Sequence, residues 1–224
     1  MTNHDEISLI FKEYTKGSMS ERTRDALRIA IINHTLGAGE RLVESNLAKR
    51  LGVSITPVRY AFTQLSKEGL IDIYPYRGTY VKALTKQFVR EVCEVRSVLE
   101  KEAARTAFEH FTPEDLAMLE AQAKLLSQSI DAFRFLYEAC RADTGFHDII
   151  FERSGNETLI QFWEMLRVRM EYITSYTKMR TTPEIQKERH MLLVRDLQAG
   201  DREKFLMDVY DHCIHPNQIF FEND

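Results

Sequence analysis

Apolar residues recur at helical spacing along most of the chain, with one short stretch of period-two alternation. Residues 1–19 carry only a weak helical pattern, at Ile7, Ile10 and Phe11. Gly17 and Ser18 interrupt it, and the segment is expected to be an N-terminal arm. From Ser20, a capping residue, the stripe Leu27, Ala30, Ile31 and Leu36 marks a helix that Gly37 and Gly39 stop. A second, shorter helix over about 44–51 turns Leu47, Ala48 and Leu51 inward and ends at Gly52. Ser54 caps a third, with Pro57 in its first turn, where a missing N–H costs little. Its Val58, Ala61, Phe62 and Leu65 fall at i, i+3, i+4 and i+7, one buried face. After Gly69 the period drops to two through Leu70–Ile73, a turn at Pro75 and Gly78, and Thr79–Val81, which predicts a β-hairpin. Helix, helix, tight turn, helix and hairpin make a winged helix-turn-helix over residues 20–82. The bland reading of the same pattern is a small α+β domain without a nucleic-acid role.

Beyond a linker at 83–87, where Thr85 is a plausible cap, every pattern is helical. Candidate helices cover about 86–110, 113–130, 132–153, 156–179, 183–199 and 201–215. Thr112-Pro113 and Thr182-Pro183 start helices, Ser154-Gly155-Asn156 separates two, Gly200-Asp201 turns a helical hairpin, and His215-Pro216 ends the last. Asn156 reads as a left-handed helix end. The fold class is therefore mainly α: an N-terminal winged helix-turn-helix followed by an all-α bundle of six or seven helices over residues 88–216.

Length and composition fit two soluble domains: 224 residues, 44% hydrophobic and 29% charged, with no run long enough to span a membrane. The polar, acidic N-terminus is no secretory signal, and three distant cysteines (Cys93, Cys140, Cys213) suit reduced thiols, so a cytoplasmic location is expected. The net charge of −4 argues mildly against a nucleic-acid partner, but its distribution reverses that: residues 20–82 hold 10 Lys and Arg against 6 Asp and Glu. A basic N-terminal third on an acidic protein is the electrostatic signature of a DNA-binding module joined to another kind of domain.

Two groups of residues carry candidate chemistry. The helix beginning at Ser54 is the one that would enter a major groove, where Ser54 and Thr56 can reach phosphates and Arg59 phosphate or guanine. Arg77, beside Gly78 at the hairpin tip, is placed for backbone or minor groove. In the bundle, Asp143 and His147 lie one helical turn apart on one face. Alone they would be ordinary surface polarity. However, His190 and His212 stand nearly equidistant from the Gly200-Asp201 turn, so an antiparallel hairpin brings them level. One aspartate and three histidines pointing into a bundle form a candidate divalent-metal site. His4, His34, His110 and His215 lack such partners and read as surface residues. Cys140 and Cys213 read as packing rather than ligands, and Phe162, Trp163 and Met165 as core or dimer contacts.

The run Gly39-Glu40-Arg41-Leu42, Leu47-Ala48, Leu51-Gly52-Val53-Ser54, Thr56-Pro57-Val58-Arg59, Glu68-Gly69-Leu70 and Arg77-Gly78 resembles the DNA-binding domain of the GntR family. That family usually has arginine where this chain has Ser45 and Ile55, and glutamate where it has Tyr60. The resemblance thus implies a divergent operator. Arg96 and Glu100, Asp143-Thr144-Gly145-Phe146-His147, Ser154-Gly155-Asn156, His190, Gly200-Asp201 and His212 resemble the FCD ligand-binding domain of the FadR-type branch. The resemblance implies that Asp143, His147, His190 and His212 bind a metal, zinc or nickel, and that a small carboxylate effector completes its coordination. It places Arg96 on the effector cavity; the alternative is a salt bridge to Glu100 one turn away.

Together these readings imply a homodimeric, non-enzymatic transcriptional repressor. Its partners would be a double-stranded DNA operator and a small organic acid, with no membrane involved. Two other readings remain: a metal-dependent enzyme using the Asp/His set, and a helical interaction module that has lost DNA binding at Ser45 and Ile55.

Overall fold

The computed structural model describes residues 3–127 and 136–221, with side chains over 6–127 and 136–215. Contacts divide the chain into two compact units, Met1–Leu84 and Thr85–Asp224.

The first unit opens with a helix where an arm was expected. α1 (Asn3–Glu13) packs on α2 (Met19–Ile32) and α3 (Glu44–Leu51). Ile7 and Ile10 are fully buried, Phe11 nearly so. Three apolar side chains hold so short a helix because its free groups are also satisfied. Arg22 donates to the carbonyls of Phe11 and Tyr14 at 3.2 and 3.3 Å and lays its guanidinium over the Phe11 ring. The α2 cap is Ser18, in a reciprocal box with Glu21, rather than Ser20. α3 ends at Gly52, whose left-handed φ of 67° makes the tight turn into α4 (Ile55–Glu68). Arg28 of α2 pairs with both carboxylate oxygens of Glu68 and ties α2 to the end of α4.

The hairpin is larger than expected. β1 (Arg41–Leu42), β2 (Ile71–Tyr74) and β3 (Gly78–Val81) form an antiparallel sheet in the order β1-β3-β2, with Arg41 opposite Tyr80 and Ile71 opposite Val81. Two residues were too short a run to register as period two in the sequence.

The second unit contains α5 (Lys86–Ala107), a 3₁₀ turn (Phe108–His110), α6 (Pro113–Leu125), α7 (Leu136–Arg153), α8 (Glu157–Lys178), α9 (Pro183–Ala199) and α10 (Arg202–Phe221). All are helical among the described residues; the expected extensions at 128–130 and 132–135 lie outside them. Thr85, Thr112 and Thr182 each cap a helix by accepting a backbone N–H. At the α7–α8 junction Gly155 takes the left-handed conformation, and Asn156 is instead the N-cap of α8, accepting from the Leu159 N–H. Trp163 belongs to the core: it stacks on Phe151 at 4.7 Å and donates to Asp148 at 2.6 Å. Phe162 and Met165 stay exposed.

α10 does not stop at Pro216 but continues to Phe221. Proline lacks the N–H that would have bonded the His212 carbonyl one turn back, which ordinarily breaks a helix. Here the Arg189 guanidinium, from α9, donates to that carbonyl at 3.4 Å.

Candidate metal centre and nucleic-acid interface

α5, α7, α9 and α10 each bring functional side chains into the bundle. His147 (α7), His190 (α9) and His212 (α10) converge, each offering a ring nitrogen within 4.8 Å of the other two. All three are buried. The helical hairpin does what its spacing predicts: the His190 and His212 rings lie 4.5 Å apart. The Asp143 carboxylate is 3.7 Å from His190 Nε2, so the four expected residues form one neighbourhood.

Burial sets the protonation of two of these imidazoles. It pushes the His190 pKa down to about 3, against the opposing pull of Asp143. It also drives His212 well below its ordinary value, helped by His190 and His147. Both are neutral near pH 7. His190 donates from Nδ1 to the Gln186 carbonyl at 2.8 Å, which leaves Nε2 as its lone-pair nitrogen. That Nε2 and Nδ1 of His212 are buried polar atoms without a hydrogen-bond partner. Unsatisfied lone pairs inside a protein are costly. Neutral imidazoles beside an ionised carboxylate are a donor set that fits zinc, nickel or a similar divalent ion.

A buried network backs the histidines. Glu100 accepts from Arg96 Nε at 2.9 Å, from the Cys213 thiol at 3.2 Å and from Nδ1 of His147. Burial alone would raise the Glu100 pKa, but His147 and Arg96 outweigh it and hold the carboxyl below its usual range. Arg96 therefore makes the salt bridge to Glu100, and it also lines a cavity. Its NH2 group, in addition, lies 2.7 Å from Nε2 of His147.

The cavity over the histidines holds about 50 Å³ and is lined by Arg96, Asp143, Thr174, Thr177, Gln186 and Arg189 among others. His215, expected at the surface, also lines it. Arg189, Gln186 and the threonines escaped the sequence reading because no spacing rule ties α8 to α9. The one available signal was Arg189 preceding His190. Burial and the neighbouring Arg96 push the Arg189 pKa down to about 10.

In the N-terminal unit, α4 buries Pro57, Val58, Ala61, Phe62 and Leu65 and leaves Ser54, Ile55, Thr56, Arg59 and Tyr60 exposed. Ser54 occupies the N-cap position, although its side chain makes no capping bond. Arg59 extends into solvent, steadied by an ion pair with Glu44 at 2.8 Å. Arg77 is exposed on the β2–β3 turn beside a fully exposed Tyr76. Gly78, at φ 116°, leaves room for Arg41, whose Nε would be 3.1 Å from any Cβ there. Arg41 thus joins this face, where its motif had been noted but not its role.

A winged helix-turn-helix unit and a helical-bundle unit in one chain define the class of two-unit DNA-binding regulators. Residues 19–81 match the model of the bacterial regulatory proteins of the gntR family, and residues 91–212 match that of the FCD domain. The chain is a member of the GntR family of transcriptional regulators carrying an FCD domain. It is similar to the regulator McbR of Escherichia coli K12, with 30% identity across 83% of this chain and 85% of McbR. A solved structure of E. coli McbR/YncC superposes with a TM-score of 0.73, covering 92% of this chain and 99% of that one. It is also similar to YdhC of Bacillus subtilis (28% identity; 84% of this chain, 85% of YdhC) and to the repressor RspR of E. coli K12 (27%; 78% and 77%). These relatives are regulators rather than enzymes, as this chain is. No helix among the described residues is long and apolar enough to cross a membrane.

Proposed function

We propose that the protein is a homodimeric repressor whose affinity for a DNA operator is set by a small organic acid held, with a divalent metal, in the FCD cavity. The observation that carries the ligand half is the convergence of three buried histidines, two of which (His190 and His212) line a cavity that also presents Asp143, Arg96 and Arg189.

Asp143, His147, His190 and His212 would hold the ion, with zinc or nickel best suited to the set. When bound, it supplies a positive, Lewis-acidic centre that an effector carboxylate can join. Glu100 keeps the proton of His147 on Nδ1 and so presents Nε2 as a ligand atom, the usual arrangement for metal-binding histidines. Arg96 and Arg189 add donors for the acid. The small cavity suits a compact ligand.

On the DNA side, Ser54 and Thr56 at the start of α4 reach phosphates, and Arg59 reaches a base edge or phosphate. Arg77 and Gly78 bring the wing to the backbone or minor groove. A homodimer would read two half-sites about one helical turn apart. The likeness to RspR, a named repressor, supports repression. Effector binding would change operator affinity by a coupling of about 1–3 kcal/mol.

The test is selection of fragmented genomic DNA by the purified full chain at two salt concentrations, repeated with a panel of small carboxylates. A short inverted repeat, enriched less at high salt and altered by one acid, is the expected result. Folded, metal-loaded protein that enriches no sequence with or without the acids would overturn the reading.

A further inference from the structure

We infer that Arg96 competes with the metal for a single nitrogen of His147, so that an anion is required before both can be accommodated. The inference rests on the metal reading above and specifies how that site is regulated.

The argument begins at the two nitrogens of His147. Nδ1 faces the Glu100 carboxylate, which accepts, while Nε2 faces a guanidinium that can only donate, so Nδ1 carries the proton. Nε2 is therefore the lone-pair nitrogen. It is 2.7 Å from the NH2 group of Arg96, which can only donate. One lone pair cannot both accept this hydrogen bond and ligate a cation. Nor can Arg96 step aside by losing its proton, because a guanidinium keeps its charge in proteins.

Arg96 can, however, turn. The planar guanidinium moves as a unit, so rotation about the Cγ–Cδ and Cδ–Nε bonds would carry the NH2 group off His147 while Glu100, now 2.9 Å from Nε, stays within reach of an N–H. The swung end stays in the cavity that Arg96 already lines, where a second guanidinium, Arg189, is also present. A divalent ion on Nε2 would then face one buried and one half-buried guanidinium, with Asp143 the single carboxylate among the cavity-lining residues. Like charges repel strongly in such surroundings. A carboxylate ligand removes the repulsion and takes the N–H groups that Arg96 withdrew from His147. Metal and acid consequently bind with positive coupling, and by linkage each tightens the other by the same factor.

Zinc affinity of the full-length protein, measured by competition with a chromophoric chelator with and without acetate, tests this. Wild type should bind zinc about tenfold more tightly in acetate. Arg96→Gln keeps an amide for Glu100 but removes the competing charge. It should bind zinc about tenfold more tightly than wild type without acetate, and acetate should no longer matter. If Arg96→Gln binds zinc no better than wild type, or keeps the acetate effect, the competition is refuted while the metal site stands. If neither protein takes up zinc, the metal reading itself fails and the competition with it. Should Arg96→Gln not fold, ¹⁵N spectra of wild type decide: the Arg96 Nη signals must move on adding zinc and acetate, and unchanged signals overturn the inference.

Discussion

His190 and His212 meet ring to ring, 4.5 Å apart and 79° between planes, one on each arm of the α9–α10 hairpin that turns at Gly200. The two residues face each other because the helices leave the turn in opposite directions and rise equally per residue. The double variant His190→Ala/His212→Ala should therefore leave the hairpin in place while removing two of the proposed ligands at once. Dialysed against zinc, wild type should retain about one ion per chain and the variant less than about a tenth of that, as two lost ligands imply. Equal metal content in the two proteins would count against the site.

Arg59→Ala should weaken binding to a selected operator by roughly tenfold, the lower part of the range for one good base or phosphate contact. If Arg59 neutralises a phosphate, the slope of log affinity against log salt should also fall by about one unit. Because Arg59 is an exposed residue of α4, its loss should not alter metal content. Fluorescence anisotropy across a salt series measures both quantities. Unchanged affinity would remove Arg59 from the interface.

Glu100→Ala takes the one carboxylate from a buried cluster that contains Arg96, His147 and the Cys213 thiol. An uncompensated buried guanidinium costs about 3–5 kcal/mol. A drop of that size in denaturant unfolding is expected. A change under about 1 kcal/mol would mean that Arg96 finds another partner.

Asp115 provides a pH signature away from the candidate metal centre. Burial would raise its pKa, but the backbone N–H and hydroxyl of Thr112, at 2.8 and 2.9 Å, and Arg153 at 2.8 Å bring it below the ordinary value. A carboxyl with a lowered folded pKa adds stability that is complete above the unfolded pKa and disappears as pH falls through the folded one. Acidification below the ordinary aspartate pKa should thus lower the melting temperature of wild type more steeply than that of Asp115→Asn. Parallel curves would show that the Thr112 box contributes nothing to the acid limb.

Much of this was legible in the sequence, for reasons that differ by element. The α4 stripe Val58, Ala61, Phe62 and Leu65 announced its buried face, and Thr85, Thr112 and Thr182 announced the starts of α5, α6 and α9. The histidine convergence followed from spacing about one turn. What escaped depends on tertiary partners. Pro216 looked like a helix end because nothing in the sequence places Arg189 against the carbonyl it leaves bare. α1 looked like an arm because its three apolar residues are too few without Arg22. Ser20 and Ser18 are both capping residues, and the choice fell to Ser18 because Glu21 stands three residues after it. The rest of the cavity wall comes from α8 and the start of α9, whose mutual placement only packing decides.

The pattern shared with the gntR model begins at residue 19, but the packed unit begins earlier, with Ile7, Ile10 and Phe11 under cover and the Ser8 hydroxyl donating to the Arg50 carbonyl at 3.0 Å. Arg50 sits in the last turn of α3, the helix that precedes the reading helix. A DNA-binding fragment trimmed to the shared pattern would uncover the apolar sides of α2 and α3 and leave that carbonyl to water. Such a fragment is a poor stand-in for the intact regulator: its weak operator binding would report a loosened scaffold rather than the chemistry of the groove.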